Sequence, residues 1–205
     1  MLKRTLRHIT GPLSRALLRT VSIGDAWERF ELDVPIARFG SGARHDFSWY
    51  LDGESDVCIS TFEDVVDWLT GCEYRPDAEF FHEADYWQHP CTFETLRVGD
   101  CEDFALWAWR RLGELGFDVE FVAGRTRSSD DGDTGDPWAT GHAWVHFLDA
   151  GRPMLLDAVA YRNEPIIRPI ESVRDSYVPE VSVDSALRRY VYGGYYLLRS
   201  GRGLP

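Results

Sequence analysis

The sequence predicts an α+β fold in which one long helix packs on an antiparallel β-sheet. A helical pattern begins at Cys101, where apolar residues recur at helical spacing after a capping residue, Asp100. Two short apolar runs, 142–148 and 154–159, are then joined by a four-residue turn sequence, which is typical of a β-hairpin. Because the helix precedes the strands and does not alternate with them, the α+β class is favoured over a parallel α/β sheet.

Length and composition indicate one folded domain with a short arm. The chain has 205 residues, of which 44% are hydrophobic and 14% aromatic, so it can form a sizeable core. Its net charge of −12 excludes nucleic acid as the expected partner, because phosphate binding needs a basic surface. Residues 1–24 nevertheless hold five basic residues and no acidic one, which predicts a basic N-terminal arm or helix. Residues 25–205 are interpreted as a single domain with its core at 60–160.

The basic arm leaves two interpretations open. Its apolar residues are spaced as in an amphipathic helix that is interrupted at Pro12, and this helix can pack on the domain or lie on a membrane surface. The arm lacks the continuous apolar run of a secretory signal. The chain also contains no run of about 20 apolar residues, the length of a transmembrane helix. We therefore expect a cytoplasmic protein without a transmembrane segment and with reduced cysteines.

The segment before Cys101 predicts a second helix and several loops. Residues 25–59 are interpreted as irregular or strand-like. Thr61 can cap a helix over 61–69 that has acidic residues in its first turn and Gly71 at its end. The section 75–90, which carries Tyr86-Trp87-Gln88, is expected to be a loop. After the Cys101 helix, residues 119–122 predict a strand.

Three polar residues on these elements point to nucleophilic catalysis. Cys101 stands at a helix N-terminus, where the helix dipole and a nearby imidazolium stabilise a thiolate. His142 is placed on the first strand of the hairpin and Asp157 on the second, so strand pairing can bring them together. Together they form a set of nucleophile, base and orienting acid. Glu102 and Asp103 would oppose a thiolate, so their side chains have to point away from Cys101 if it is active.

Four segments follow one another in a recognisable order: Asp85-Tyr86-Trp87-Gln88, Gly99-Asp100-Cys101-Glu102-Asp103-Phe104-Ala105, Gly141-His142-Ala143-Trp144-Val145 and Leu156-Asp157. Together they resemble the transglutaminase-like superfamily of papain-fold cysteine enzymes, and most nearly its bacterial transglutaminase-like cysteine proteinases. The resemblance covers roughly residues 60–160 and implies a papain-like core. It also implies that Cys101 is the nucleophile, His142 the general base and acid, and Asp157 the group that orients His142.

The same resemblance suggests how the site is completed. The backbone N–H of Cys101 is a natural oxyanion donor, with Gln88 or Trp87 as candidate second donors. No cofactor is required, but some related proteases bind calcium near the acidic residues after the cysteine, which makes Asp103 a candidate ligand. One departure from the family pattern is Arg97, which stands where a glycine is expected.

The expected function is hydrolysis of an amide or peptide bond through a thioester acyl-enzyme, with a peptide or protein as substrate. Two alternatives stay open: a protein-glutamine transglutaminase, in which an amine accepts the acyl group, and a non-catalytic member that binds peptides in the same cleft. Cys58, Cys72 and Cys91 are interpreted as core or loop thiols. The irregular spacing of His82, His89 and Cys91 does not favour a zinc site.

Overall fold

The computed structural model describes residues 25–127, 138, 141–159 and 165–199. The basic arm predicted at 1–24 and the acidic segment 128–137 lie outside these residues. The described chain has an α+β architecture, as predicted. Among the described residues, no helix is both long enough and apolar enough to cross a bilayer.

The helices and strands follow one another in a simple order. Short 3₁₀ turns occupy Ile36–Arg38 and Ile170–Ser172. The remaining elements are β1 (Arg29–Glu31), α1 (Phe47–Leu51), α2 (Phe62–Thr70), β2 (Glu73–Tyr74), α3 (Asp77–Phe80), α4 (Pro90–Leu96), β3 (Val98–Gly99), α5 (Cys101–Glu114), β4 (Val119–Thr126), β5 (Gly141–Asp149), β6 (Arg152–Leu156), β7 (Ile167–Pro169), β8 (Tyr177–Asp184), β9 (Arg189–Tyr192) and α6 (Gly193–Arg199).

Seven strands form one antiparallel sheet in the order β1-β9-β8-β4-β5-β6-β7. The predicted hairpin is β5–β6, and both residues of its tight turn have positive φ, 47° at Ala150 and 81° at Gly151. This conformation matches the twist of a two-residue hairpin loop. The strand β6 ends at Leu156, so Asp157 lies just beyond it and not within it as predicted.

The predicted helix near residue 61 is confirmed as α2. Thr61 and Asp64 form a reciprocal capping box at its start, and Gly71 follows its last residue. The expectation for 25–59 was incomplete, because this segment also contains α1, whose N-terminus is capped by the side chain of Asp46. A five-residue helix carries too few periodic positions to stand out in a sequence.

The helix of Cys101 is α5, and it lies at the centre of the molecule. Apolar residues at helical spacing predict a helix that is buried on one side, but this prediction is wrong for α5, in which every residue from 102 to 112 is buried. One face of α5 packs on β4 and β5, and α2 and α4 cover it from other directions. Trp68 of α2 stacks on Trp107 with 3.9 Å between ring centroids. The sheet and the surrounding helices therefore hold the N-terminus of α5 in a fixed position.

Candidate active site

His142 and Asp157 meet at the end of the β5–β6 hairpin. Val145 and Leu156 are the last paired residues of this hairpin, and Asp157 follows directly, where its carboxylate reaches the His142 side chain. His142 Nε2 and Asp157 Oδ2 are 2.7 Å apart, and the Asp157 side chain is 1% exposed. Burial raises the pKa of Asp157, but the His142 charge and hydrogen bonds from His142, Tyr177 and Val159 outweigh it and lower that pKa below its ordinary value. The carboxylate is therefore held ionised against the imidazole.

Cys101 is the first residue of α5 and faces the strand that carries His142. Asp100 and Asp103 form a capping box around this helix start, and Phe104 N–H donates to the Asp100 carbonyl oxygen at 3.2 Å. Ala143, the neighbour of His142, makes a backbone hydrogen bond to the Cys101 thiol that lowers its pKa. The packing of α5 on β5 thus places the thiol against the backbone of the residue next to His142.

Cys101 and His142 open into one cavity of about 410 Å³. The cavity runs along the N-terminus of α5 and the ends of β4 and β5. Its other lining includes the aromatic ring of Trp87 and the charged side chains of Arg38 and Glu180. A cavity of this size holds a few amino-acid side chains. The geometry is therefore that of a cleft with a thiol and an imidazole in its wall.

The acidic residues beside the thiol do not all point away from it. Asp103 turns towards Gln88, whose backbone N–H it accepts at 2.8 Å. Glu102, in contrast, accepts a hydrogen bond from the Cys101 thiol, with 3.3 Å between Sγ and Oε2. Burial and the neighbouring charges of Glu102 and Asp100 raise the pKa of Cys101 well above its ordinary value. In this arrangement the thiol is protonated.

Carboxylates are crowded around this thiol. The ligand atoms of Asp77, Asp100 and Asp103 lie within 4.8 Å of one another, as do those of Asp77, Asp85 and Glu102. Burial raises the pKa of Asp77 to about 6 and that of Asp103 to about 8, with Asp100 adding repulsion in both cases. Burial, together with the neighbouring Asp100 and Asp103, raises the pKa of Glu102 well above its ordinary value. The cluster thus favours protons or another positive charge.

A hard cation fits this cluster. Within the described part of the chain, Asp77 Oδ1 and Asp100 Oδ1 are buried without a hydrogen-bond partner. Buried carboxylate oxygens without partners are costly, and Ca²⁺ prefers such oxygens as ligands. Asp77 and Asp100 are better placed for it than Asp103, because both Asp103 oxygens already accept hydrogen bonds from Gln88.

The two candidate oxyanion donors have other partners. Gln88 Nε2 donates to the Val98 carbonyl oxygen at 2.9 Å and to Asp103 Oδ2 at 2.5 Å. Trp87 Nε1 donates to Asp85 Oδ1 at 2.8 Å. Both side chains therefore brace the wall of the cleft and stabilise the acidic cluster in this conformation.

The departure at Arg97 is explained by the backbone. Arg97 has φ 54° and ψ 27°, the left-handed conformation that glycine adopts most easily. Its guanidinium lies over the Trp68 ring, 5.1 Å from the centroid. The chain therefore turns at Arg97 as a glycine would, and the lead-in to Cys101 is kept.

The other polar residues considered in the sequence have separate environments. His89 Nδ1 accepts from the Cys91 backbone N–H at 3.1 Å, and His89 Nε2 bonds to the Trp49 carbonyl oxygen at 2.9 Å, so neither nitrogen is turned to a zinc ion. All four cysteines are free thiols. Cys58 is exposed, and Cys72 and Cys91 are partly buried away from the cleft.

Sequence reasoning missed four residues at or behind the site. Asp77, the first residue of α3, and Asp85, in the segment between α3 and α4, join the acidic cluster. The expectation of a loop over 75–90 thus missed the short helix α3. Tyr177 donates a hydrogen bond to Asp157, and Arg168 donates one to Tyr177. Asp85 stands in the Asp85-Tyr86-Trp87-Gln88 segment, but that pattern does not indicate an acidic cluster. The other three stand in no local motif, because each reaches the site through contacts between distant segments.

Comparisons with known proteins give matches among solved structures. LapG of Legionella pneumophila matches with 19% identity and a TM-score of 0.47 over 78% of this chain and 76% of its own. A calcium-bound LapG structure matches with 23% identity and a TM-score of 0.44 over 60% of this chain. That match spans 63% of the LapG chain, less than two thirds of its length. LapG has also been described in an EGTA-treated form.

A third solved structure, a proposed cysteine protease of Cytophaga hutchinsonii, matches with 16% identity and a TM-score of 0.40 over 78% of this chain and 54% of its own. No model of a known family matches the sequence, and no curated protein matches it. All of these identities are under 25% and all TM-scores are below 0.5. The α+β fold rests on the chain's own helices and strands.

Proposed function

We propose that this protein is a cysteine-dependent hydrolase of amide or peptide bonds, with Cys101 as nucleophile, His142 as general base and acid, and Asp157 as the orienting acid. The observation that carries the proposal is the 2.7 Å contact between His142 Nε2 and Asp157 Oδ2 in the wall of a cavity that Cys101 also lines. Because Asp157 engages Nε2, the other ring nitrogen, Nδ1, can take the proton of the thiol.

The reaction follows from these positions. Cys101 Sγ attacks the carbonyl carbon of the substrate while His142 takes the thiol proton, and the backbone N–H of Cys101 at the helix start stabilises the oxyanion. His142 then returns the proton to the leaving amine, and a thioester forms as the carbon–nitrogen bond breaks. Water, activated by His142, hydrolyses the thioester to a carboxylic acid and the free thiol. An amine in place of water would give the transglutaminase reaction.

The acidic cluster is the proposed place for calcium. Asp77, Asp85 and Glu102 would hold the ion, with Asp100 beside Asp77, and the ion when bound supplies positive charge beside the thiol. If Glu102 bound the ion, it would no longer accept the hydrogen bond from the Cys101 thiol. Less negative charge would then oppose the Cys101 thiolate. Asp103 would keep its bonds to Gln88 and support the ligands from behind.

The test measures the alkylation rate of each cysteine between pH 5 and 9 in the presence of Ca²⁺, with peptide mass spectrometry as the readout. The wild type is compared with His142→Ala. We expect Cys101 to react faster than the exposed Cys58 near neutral pH and to lose this advantage without His142. Equal rates at Cys101 and Cys58 under all conditions would argue against the triad. Incubating a reactive protein with casein and a biotinylated amine then separates hydrolysis, seen as new N-termini, from acyl transfer, seen as biotin incorporation.

A further inference from the structure

Two side chains behind Asp157 continue the hydrogen bonds of the site. The Tyr177 hydroxyl, at the start of β8, donates to Asp157 Oδ2 at 2.7 Å, the same oxygen that His142 Nε2 contacts. Arg168 on β7 donates from Nη2 to the Tyr177 hydroxyl oxygen at 2.5 Å. Tyr177 is 5% exposed and Asp157 2% exposed, so these bonds are shielded from bulk water.

The direction of every bond in this series is determined by chemistry. Arginine has only hydrogen-bond donors and an ionised carboxylate has only acceptors. The single proton of the Tyr177 hydroxyl must therefore point to Asp157, and its oxygen must accept from Arg168. Burial together with the Asp157 charge raises the pKa of Tyr177, which keeps this proton in place.

The same rule extends to the imidazole. Because the Asp157 carboxylate is an acceptor, His142 must donate to it, and the proton of the neutral ring therefore sits on Nε2. Nδ1 is then left with a free lone pair. Asp157 Oδ1 meanwhile accepts from the Val159 backbone N–H at 3.1 Å, so both carboxylate oxygens are engaged.

Ring packing restricts the imidazole further. The Trp144 ring is stacked on His142, with 6.0 Å between centroids, and meets the Tyr177 ring edge-on at 5.2 Å. The Tyr177 ring is also within 6.2 Å of the His142 ring. The residue that bonds to Asp157 thus also belongs to the aromatic group around the imidazole.

We propose that Tyr177 and Arg168 are positioning residues that hold the Asp157 carboxylate and thereby select the Nε2–H tautomer of His142, whose free Nδ1 can accept the proton of Cys101. This inference rests on the proposed function. In both residues the role is exerted through Asp157, without contact with the reacting atoms.

The experiment compares the wild type with Tyr177→Phe, which removes one hydroxyl and keeps the ring. The matched control is Tyr190→Phe, because Tyr190 is also buried and donates to a carboxylate, Asp184 Oδ2 at 3.0 Å, away from the cleft. Long-range ¹H–¹⁵N spectra of histidine-labelled protein at pH 8 report the tautomer. The His142 signals are assigned by their loss in His142→Ala. Thermal unfolding of each variant checks its folding, and Arg168→Met serves as a second variant if Tyr177→Phe does not fold.

We expect a single Nε2–H form of His142 in the wild type and in Tyr190→Phe. In Tyr177→Phe a second tautomer should appear, and the rate of Cys101 alkylation by iodoacetamide should fall about 10-fold or more, the effect of losing one hydrogen bond to a charged group. Unchanged imidazole shifts and an unchanged rate in Tyr177→Phe would overturn the inference. If wild-type Cys101 proved no more reactive than Cys58, the proposed function would fall, and the imidazole signals would still decide the positioning role.

Discussion

The Cys101 thiol donates a hydrogen bond to the carboxylate of its own neighbour, Glu102, across 3.3 Å. A carboxylate in this position stabilises the thiol over the thiolate, which is opposite to what a cysteine nucleophile needs. Whatever removes Glu102 from the thiol, or cancels its charge, is therefore expected to increase the reactivity of Cys101. The acidic cluster that contains Glu102 offers a place for a cation to do so.

Calcium should increase the alkylation rate of Cys101. A cation held by the cluster would cancel negative charge beside Sγ, and each unit by which the thiol pKa falls gives about 10-fold more thiolate. The measurement is iodoacetamide labelling at pH 7 in Ca²⁺ and in EGTA, with Cys58 as internal reference. Asp77→Asn should weaken the response by removing a proposed ligand, whereas Glu63→Gln, an exposed acid on α2, should keep it. A response of equal size at Cys101 and Cys58 would contradict a site beside the thiol.

Without a metal ion, the stability of the protein should fall as the pH rises from about 4 to 8. Asp77 has a pKa of about 6 and Asp103 of about 8 in the folded state, both above the ordinary value, so the folded chain binds more protons than the unfolded chain in this range. For each group that is protonated only in the folded state, the free energy of unfolding falls by about 1.4 kcal/mol for every pH unit by which the pH rises.

Urea unfolding at several pH values in EGTA measures this slope. The Asp77→Asn variant should show a shallower slope than the wild type, because an amide does not titrate. Saturating Ca²⁺ should also flatten it, since it stabilises the ionised cluster. An identical slope in the wild type and in Asp77→Asn would show that Asp77 does not cause the pH dependence of the free energy of unfolding.

His146 should make the protein less stable in acid. Burial, with the Arg29 charge adding to it, lowers the pKa of His146 to about 3. The unfolded chain therefore binds the extra proton below about pH 6.5, and the associated stability is lost as the pH falls from there towards 3. In the folded state His146 Nε2 accepts from Trp144 Nε1 at 2.8 Å, which a protonated ring could not do.

The variant His146→Gln isolates this effect. Relative to the wild type, its free energy of unfolding should rise as the pH falls from 6.5 to 4, by up to about 1.4 kcal/mol for each pH unit. His45→Gln, at an exposed histidine, is the control and should retain the wild-type profile. If the free energies of unfolding of His146→Gln and the wild type changed in parallel with pH, the loss of stability in acid could not be assigned to His146.

Gly99→Ala should destabilise the protein by about 1–3 kcal/mol and disturb the start of α5. A Cβ at this position would overlap Asp103 Oδ2 and come within 2.8 Å of Gln88 Nε2, the two groups that brace the capping box. Chemical unfolding measures the loss, and Cys101 alkylation reports the displacement of the helix start.

Gly113→Ala is the matched control for that substitution. Gly113 lies inside α5, where a Cβ would meet only ordinary contacts at 3.6 and 3.7 Å, so alanine should stabilise the helix by about 0.5–1 kcal/mol. If both substitutions changed the free energy of unfolding equally, crowding at Gly99 would not explain the loss of stability.

The sequence by itself determined the parts of this protein that local chemistry specifies. The capping residues Thr61 and Asp100 identified two helix starts, and the turn after Asp149 identified the hairpin on which His142 and Asp157 meet. These predictions succeeded because capping and turn formation depend on residues within a few positions of one another.

The tertiary structure alone decided what surrounds those residues. It buried α5 on all sides, turned Glu102 towards Cys101, and brought Tyr177 to Asp157 and Asp77 to Glu102. The physical reason is that hydrogen bonds, repulsion and desolvation in the site arise between segments far apart in the chain. No local pattern encodes such distances, so only the packing of α5, the loop before α4 and the edge of the sheet could set them.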